Sequence, residues 1–285
     1  METMGMIGTL CSKLDLCERK RETMSENMAL GANIQHRQYH IDLTPEQVGA
    51  YAILPGDPGR VEEIAQYLEN PVFVAEKREY RTFAGALAGQ KVIVMSTGIG
   101  GPSAAIGIEE LIKCGVHTFI RIGTCGGMQP EVLPGDLVIA QAVIRSEGTS
   151  YEYLPQGYPA CADITITNAL RQSAEDAGLR HHTGVVHSKD NFYGQTEPDT
   201  MPIGDILKSK WDAYIKAGCL ASEMEAAALY TVGLVRRVRV GCVLTAIWNP
   251  ELHKAGVAQT QYLSNERAIK CAVNATKMLI NQASF

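Results

Sequence analysis

The chain has 285 residues, 46% of them hydrophobic and 20% charged, the make-up of an ordinary soluble globular protein. Its formal net charge of −5 argues against a nucleic-acid or anionic-membrane partner but leaves room for a small basic pocket. No apolar run approaches the roughly 20 residues that span a bilayer, and eight scattered cysteines without a C-x-x-C pair argue against structural zinc and for reduced thiols in a cytoplasmic protein.

Residues 1–33 hold five Met, two Cys and a short basic run (Arg19, Lys20, Arg21) without a steady apolar period. The apolar run of a secretory signal is missing, and Asp15, Glu18 and Glu22 flank the basic run, unlike a transit peptide. The segment reads as a disordered or artefactual extension, with Met24 as an alternative start, ahead of one domain over residues 34–285.

From there the pattern alternates between strand and helix. Tyr51–Leu54 predicts a short strand, and PGDPGR (Pro55–Arg60) a turn into a helix over Val61–Leu68. Gly56 and Gly59 permit close backbone approach, while Arg60 stands at a helix start, where a cation is disfavoured unless an anion joins it. A plain Pro/Gly turn explains the same residues. Val72–Ala75 predicts another strand, followed by EKREYRTF with Arg78, Glu79 and Arg81.

The central stretch is STGIGGPSAAIGIEELIKCGVHTFIRIGTCGG, Ser96–Gly127. An apolar strand, Val92–Met95, runs into a glycine-rich loop (Gly98, Gly100, Gly101), with Pro102 at a first helical position and an apolar helix face through Ile112. Gly115 ends that helix, and Thr118–Ile122 predicts the next strand, so the unit is one that builds parallel sheets. Arg121 lies among Phe119, Ile120 and Ile122, where a cation is costly unless paired with an anion. Gly123, Thr124, Gly126 and Gly127 follow, and an Arg fork, a hydroxyl and exposed backbone N–H groups at a strand end suit phosphate. A salt bridge to a nearby carboxylate with a tight turn behind it is the other reading of these residues.

Further along, Gly135–Ala142 and Val143–Ser146 predict two strands, Ile164–Ala177 a helix and Thr183–Val186 a strand entering the polar and aromatic loop His187–Asp199. In ASEMEAAALY, Glu223, Met224 and Glu225 precede an Ala-rich helix, where capping explains one carboxylate or both. Gly241–Trp248 predicts the last buried strand and Glu266–Ile280 a C-terminal amphipathic helix.

Taken together, PGDPGR, REY at Arg78, STGIGGPS, RIGTCGG, FYGQ at Phe192 and SEMEAAAL at Ser222 resemble the nucleoside phosphorylase-I family, and within it most closely its uridine-cleaving members. The resemblance runs from about Tyr39 to the C-terminus. It implies a single-domain α/β/α sandwich around a mixed, partly barrel-like sheet, in dimers that assemble into a hexamer. It also implies phosphorolysis of uridine, with deoxyuridine or thymidine as further substrates, to uracil and ribose 1-phosphate in pyrimidine salvage.

Carried onto matching positions, phosphate is held by Gly56, Arg60, Arg121 and Thr124, with Arg78 arriving from a partner chain. Met224 packs under the ribose, Glu225 accepts from its hydroxyls, Glu223 lines the same place and His40 closes the pocket from the partner. Phe192 stacks on the base and Gln195 reads its amide edge. No organic cofactor is implied. A monovalent cation such as K+ at the dimer seam maps to Glu79, Ile99 and Ser103.

The sequence departs from the family pattern on the base side. The base loop reads Gln195-Thr196-Glu197 where Q-x-R is usual, and Pro250 follows Asn249 where another Arg is usual. Lys189, in HSKD, is the nearest replacement cation, which makes Arg121, Glu225 and Lys189 the candidate catalytic residues. A surface lysine paired with Asp190 is the other reading. The competing functions are a purine nucleoside phosphorylase of the same fold and a non-catalytic nucleoside-binding protein.

Overall fold

Ten strands and nine helices are laid out over residues 37–283, the residues described in the computed structural model. The extension read at residues 1–33 lies outside them. In chain order come β1 (Tyr51–Pro55), α1 (Gly59–Ala65), β2 (Glu69–Lys77), β3 (Tyr80–Leu87), β4 (Gln90–Met95) and α2 (Gly101–Lys113). Next are β5 (Thr118–Gly127), β6 (Leu137–Ser146), α3 (Thr149–Tyr153), β7 (Ala160–Cys161), α4 (Ile164–Asp176), β8 (His181–Lys189) and α5 (Phe192–Thr196). The chain continues with α6 (Gly204–Lys216), β9 (Ala221–Glu223), α7 (Ala226–Arg236), β10 (Arg239–Trp248), α8 (Pro250–Lys254) and α9 (Glu266–Ala283).

The strands form one mixed sheet in the order β10–β6–β8–β9–β5–β1–β4–β3–β2, with β7 added to β6. Because β10 also pairs with β5, the strands β5, β10, β6, β8 and β9 close a ring, and β1, β4, β3 and β2 lead away from it. β5 runs parallel to both β1 and β10, and its last two residues pair antiparallel with β9. Apolar residues of α2 and α7 pack into one core, and those of α1, α4 and α9 into a second. These are the helical layers of an α/β/α sandwich around a partly barrel-like sheet, as the family resemblance implies. On α9 the predicted apolar face, Ile269, Ala272, Val273, Thr276 and Leu279, is buried throughout.

Several boundaries differ from the sequence reading. Thr118–Ile122 does not end in a turn: β5 continues through Gly123–Gly127, pairing there with β10 and β9, so these backbone groups face neighbouring strands. The two strands expected over residues 135–146 are the single bulged β6. β8 extends to Lys189, which takes the first three residues of the expected loop into the sheet. Helix α1 starts at Gly59 and stops at Ala65, ahead of the expected Leu68. Helix α6 was not expected, although Leu207, Trp211, Tyr214 and Ile215, its half-buried residues, recur at helical spacing. Six cysteines fall among the described residues, all free thiols and five of them buried.

Candidate active site

The carboxyl ends of β1, β5 and β8 meet the loop after β4 and the start of α7. Arg121 on β5 is 3% exposed. Because β9 pairs with the end of β5, Glu223 is placed beside it, with Arg121 Nε 3.2 Å from Glu223 Oε2. The same carboxylate accepts the backbone N–H of Glu225 at 2.9 Å and of Ala226 at 3.0 Å, and takes a short hydrogen bond from the Ser188 hydroxyl. Glu223 is therefore the cap of α7. Glu225 is not spent on capping. It pairs with Arg121 Nη2 in a short contact and accepts the Gly100 N–H at 2.6 Å, which fastens the glycine loop to the start of α7.

Burial acts against every charge here. It lifts Glu225 above the ordinary carboxylate range, with Glu223 adding to the rise, while Arg121 and the Gly100 N–H pull it back. Burial alone would lower the Arg121 pKa, but Glu225 and Glu223 more than offset it, and the guanidinium stays charged. Gly123 allows this geometry: a Cβ there would lie 2.8 Å from Arg121 Nη2 and 2.8 Å from Leu244, so the guanidinium folds back over bare backbone.

One valence of Arg121 is left over. Its Nη1 is buried without a hydrogen-bond partner, about the costliest state for a charged donor. A Cβ built on Gly56 would lie 4.0 Å from that nitrogen, so the unpaired N–H faces the turn after β1. Arg60 stands over the same turn, only loosely paired to Asp57 at 3.8 Å. Thr124 is half-buried three residues beyond Arg121, opposite Thr245 of β10. An oxyanion at this turn would give the open Arg121 N–H an acceptor.

The base-side candidates gather at the end of β8. Lys189 is buried, and its Nζ donates to Ser222 Oγ at 2.8 Å. The exposed lysine paired with Asp190 is not found: Asp190 accepts the Gly148 N–H at 2.8 Å instead. Burial lowers the Lys189 pKa to about 8, with Glu223, Glu225 and Cys125 resisting the fall. The ammonium lies 6.0 Å from the centre of the Phe192 ring, which is exposed at the start of α5. Gln195, on the same short helix, accepts from Ser222 at 3.0 Å. Met224 is half-buried between the two glutamates in sequence. Neither Glu197, exposed beside α5, nor Pro250, the first residue of α8, brings a cation. Asn249 is fully committed: its amide donates to the Gln129 and Val132 carbonyls at 2.8 and 2.9 Å, and its oxygen caps α8.

Other candidates lie apart from this cluster. His40 is bound by Glu110, Nδ1 to Oε1 at 2.6 Å, near the far end of α2. At 1.5 Å per residue, that is about 14 Å along the helix from Gly101. Arg78 is exposed in the two-residue turn between β2 and β3, with a φ of 56° that places a non-glycine residue in the left-handed region. Glu79, Ile99 and Ser103 do come together around Gly98: a Cβ there would lie 2.8 Å from Glu79 Cγ and 3.2 Å from Ser103 Oγ, and that hydroxyl donates to the Ile99 carbonyl at 3.3 Å. Carboxylate, hydroxyl and carbonyl oxygens are the donor type a hard cation takes. Among the described residues no three His, Cys, Asp or Glu side chains form a group that could hold a metal ion. Sequence reasoning missed Ser188 and Ser222. Ser188 adjoins Lys189 in HSKD, but nothing in the sequence marks the Ser222 hydroxyl.

The model of the phosphorylase superfamily matches residues 50–280. A uridine phosphorylase of Treponema pallidum is 54% identical over 247 residues, covering 87% of this chain and 96% of that protein. The uridine phosphorylase of Escherichia coli is 39% identical, covering 85% and 98%. A guanosine phosphorylase of Halorubrum lacusprofundi is 35% identical, covering 85% and 99%.

Proposed function

The chain belongs to the phosphorylase superfamily, and from that premise we propose that it cleaves uridine with phosphate to uracil and ribose 1-phosphate. It is a pentosyltransferase. The observation that carries the phosphate half of this reading is Arg121, buried between two carboxylates yet with Nη1 unpaired and turned to Gly56.

With Arg121, Lys189, Glu223 and Glu225 charged, the cluster is neutral before substrate enters. Phosphate adds negative charge, which Arg60 and, from a neighbouring chain, Arg78 balance. Phosphate is already an anion and needs no general base. Held by Gly56, Arg60, Arg121 and Thr124, it stabilises the cationic, oxocarbenium-like sugar electrostatically and attacks C1′ from a fixed position. Glu225 accepts from the ribose hydroxyls, Met224 packs under the sugar and Glu223 holds both Arg121 and the start of α7. Uracil leaves with negative charge. Phe192 stacks on it, Gln195 meets its amide edge and Lys189 supplies the nearby cation. The chemistry needs no organic cofactor, phosphate being the co-substrate.

The reading extends to assembly. His40 is anchored about 14 Å along α2 from the glycine loop and Arg78 projects from a hairpin, so both serve a neighbouring chain's site in a dimer-based hexamer. Glu79, the Ile99 carbonyl and Ser103 would hold a monovalent cation at that seam. No helix among the described residues is long and apolar enough to cross a membrane. The setting we propose, cytoplasmic pyrimidine salvage, rests on the uridine reading. The guanosine phosphorylase relative keeps a purine substrate as the competing reading. Asn249 weighs against it, because every hydrogen bond its side chain makes goes to backbone, leaving no acid for a purine ring nitrogen.

Turnover of uridine and inosine, each with and without phosphate, tests the proposal. Uridine is consumed only with phosphate and inosine at least a hundredfold more slowly. Faster inosine cleavage would transfer the assignment to purines.

A further inference from the structure

Three strands bring polar side chains to one hydroxyl. β9 carries Ser222 between Gly126 of β5 and His187 of β8. Ser222 is 4% exposed, and its Oγ has three partners: Lys189 Nζ at 2.8 Å, Gln195 Oε1 at 3.0 Å and His187 Nδ1 at 3.1 Å.

A hydroxyl offers one proton and two lone pairs. The ammonium can only donate, so Lys189 takes one lone pair. The amide oxygen of Gln195 can only accept, so it takes the hydroxyl proton. His187 then donates from Nδ1 into the second lone pair, as a neutral ring. Burial, with Lys189 and Lys210 adding to it, lowers the His187 pKa to about 4, which keeps the ring neutral. Trp211 and Tyr214 pack against that ring, with centroids 6.3 and 5.0 Å away. All three valences of Ser222 are used in one proton arrangement. It fixes which end of Gln195 is oxygen: Oε1 is tied to Ser222 and Nε2 lies on the side of Gly126, 3.9 Å from where a Cβ would stand.

We propose that Ser222 is a positioning residue for base recognition, locking the Gln195 amide so that Nε2 is presented as a donor to a ring carbonyl oxygen of the base. The inference rests on the uridine reading above and deepens it. Without the Ser222 hydroxyl the amide is free to rotate, and its oxygen then opposes that carbonyl for part of the time. Lys189 makes the lock directional, because an ammonium on Oγ leaves the hydroxyl proton to Gln195.

The test is a double-mutant cycle in phosphate-dependent uridine cleavage. Ser222→Ala lowers kcat/KM for uridine at least tenfold and leaves the KM for phosphate within twofold. In a Gln195→Ala background the same change costs at least fivefold less, since the group it positions is gone. A purely structural role would cost the same factor in both backgrounds, and that result, or an unaffected Ser222→Ala enzyme, overturns the proposal. Gln195→Glu gives a check that leaves Ser222 intact: it keeps the acceptor facing Ser222 but removes the Nε2 donor, and uridine kcat/KM falls at least a hundredfold. Near-normal kinetics in that variant also overturn it. If the unaltered enzyme does not cleave uridine with phosphate, the functional reading itself fails. If it does and the cycle is additive, only the role of Ser222 fails.

Discussion

Lys189 holds its proton below about pH 8 and loses it above. A departing uracil anion needs that charge nearby, so kcat/KM for uridine should fall as pH rises through about 8. A charge-assisted hydrogen bond is worth about 1.5–3 kcal/mol, on the order of ten- to hundredfold in rate. Lys189→Met should therefore lower uridine turnover by that factor, abolish the alkaline fall and leave phosphate KM unchanged. Stability should move the other way. In the unfolded chain the amine keeps its proton up to its ordinary value near 10.5, so between about 8 and 10.5 the unfolded state binds more protons and stability rises with pH. Near neutrality, holding the charged amine in place costs on the order of 3 kcal/mol, and Lys189→Met should melt no lower than the unaltered protein. Full uridine activity in that variant would remove Lys189 from the chemistry.

The hairpin from β2 to β3 shows the same trade at the level of an element. Lys77 and Tyr80 pair, leaving Arg78 and Glu79 as the turn, and Arg78 takes a φ of 56° that costs a side-chain-bearing residue about 1 kcal/mol relative to glycine. Arg78→Gly should raise stability by about 0.5–1 kcal/mol in chemical denaturation and raise the KM for phosphate. A destabilised Arg78→Gly protein would show that the side chain packs locally. Sequence patterns made most elements legible because apolar periods are local: the α2 and α9 faces are where the spacing puts them. They misled where glycine served close approach and not turning. Gly123 makes room for the Arg121 guanidinium and Gly127 for the Asn249 amide, 2.8 Å from where a Cβ would stand, so RIGTCGG is a strand that reads like a turn. The division of labour between Glu223 and Glu225 was equally hidden, because it depends on β9 pairing with β5 and on Gly100 reaching Glu225 from 125 positions away.

At the scale of the whole molecule, the ring closed by β10 on β5 brings the ends of β1, β5, β8 and β9 to one place, and helices on both faces hold it. Residue types alone marked Arg121 and Arg60, since a cation in an apolar strand or at a helix start asks for an anion. The hydroxyls of Ser188 and Ser222 carried no such mark. A site shared between chains predicts complementation. Arg78→Ala and Glu225→Gln proteins, each weakly active alone, should regain activity beyond their sum once mixed and allowed to exchange subunits. Verified exchange without any gain would mean that each chain builds its site unaided.

Phosphate as the nucleophile is the claim that the unpaired Nη1 of Arg121 and the nearby Arg60 carry together, and the sugar product reports on it directly. Phosphorus NMR of a reaction with uridine and inorganic phosphate should show one ribose 1-phosphate formed for each uracil released, with an equal loss of free phosphate. Uracil released together with free ribose, and phosphate left unconsumed, would contradict it.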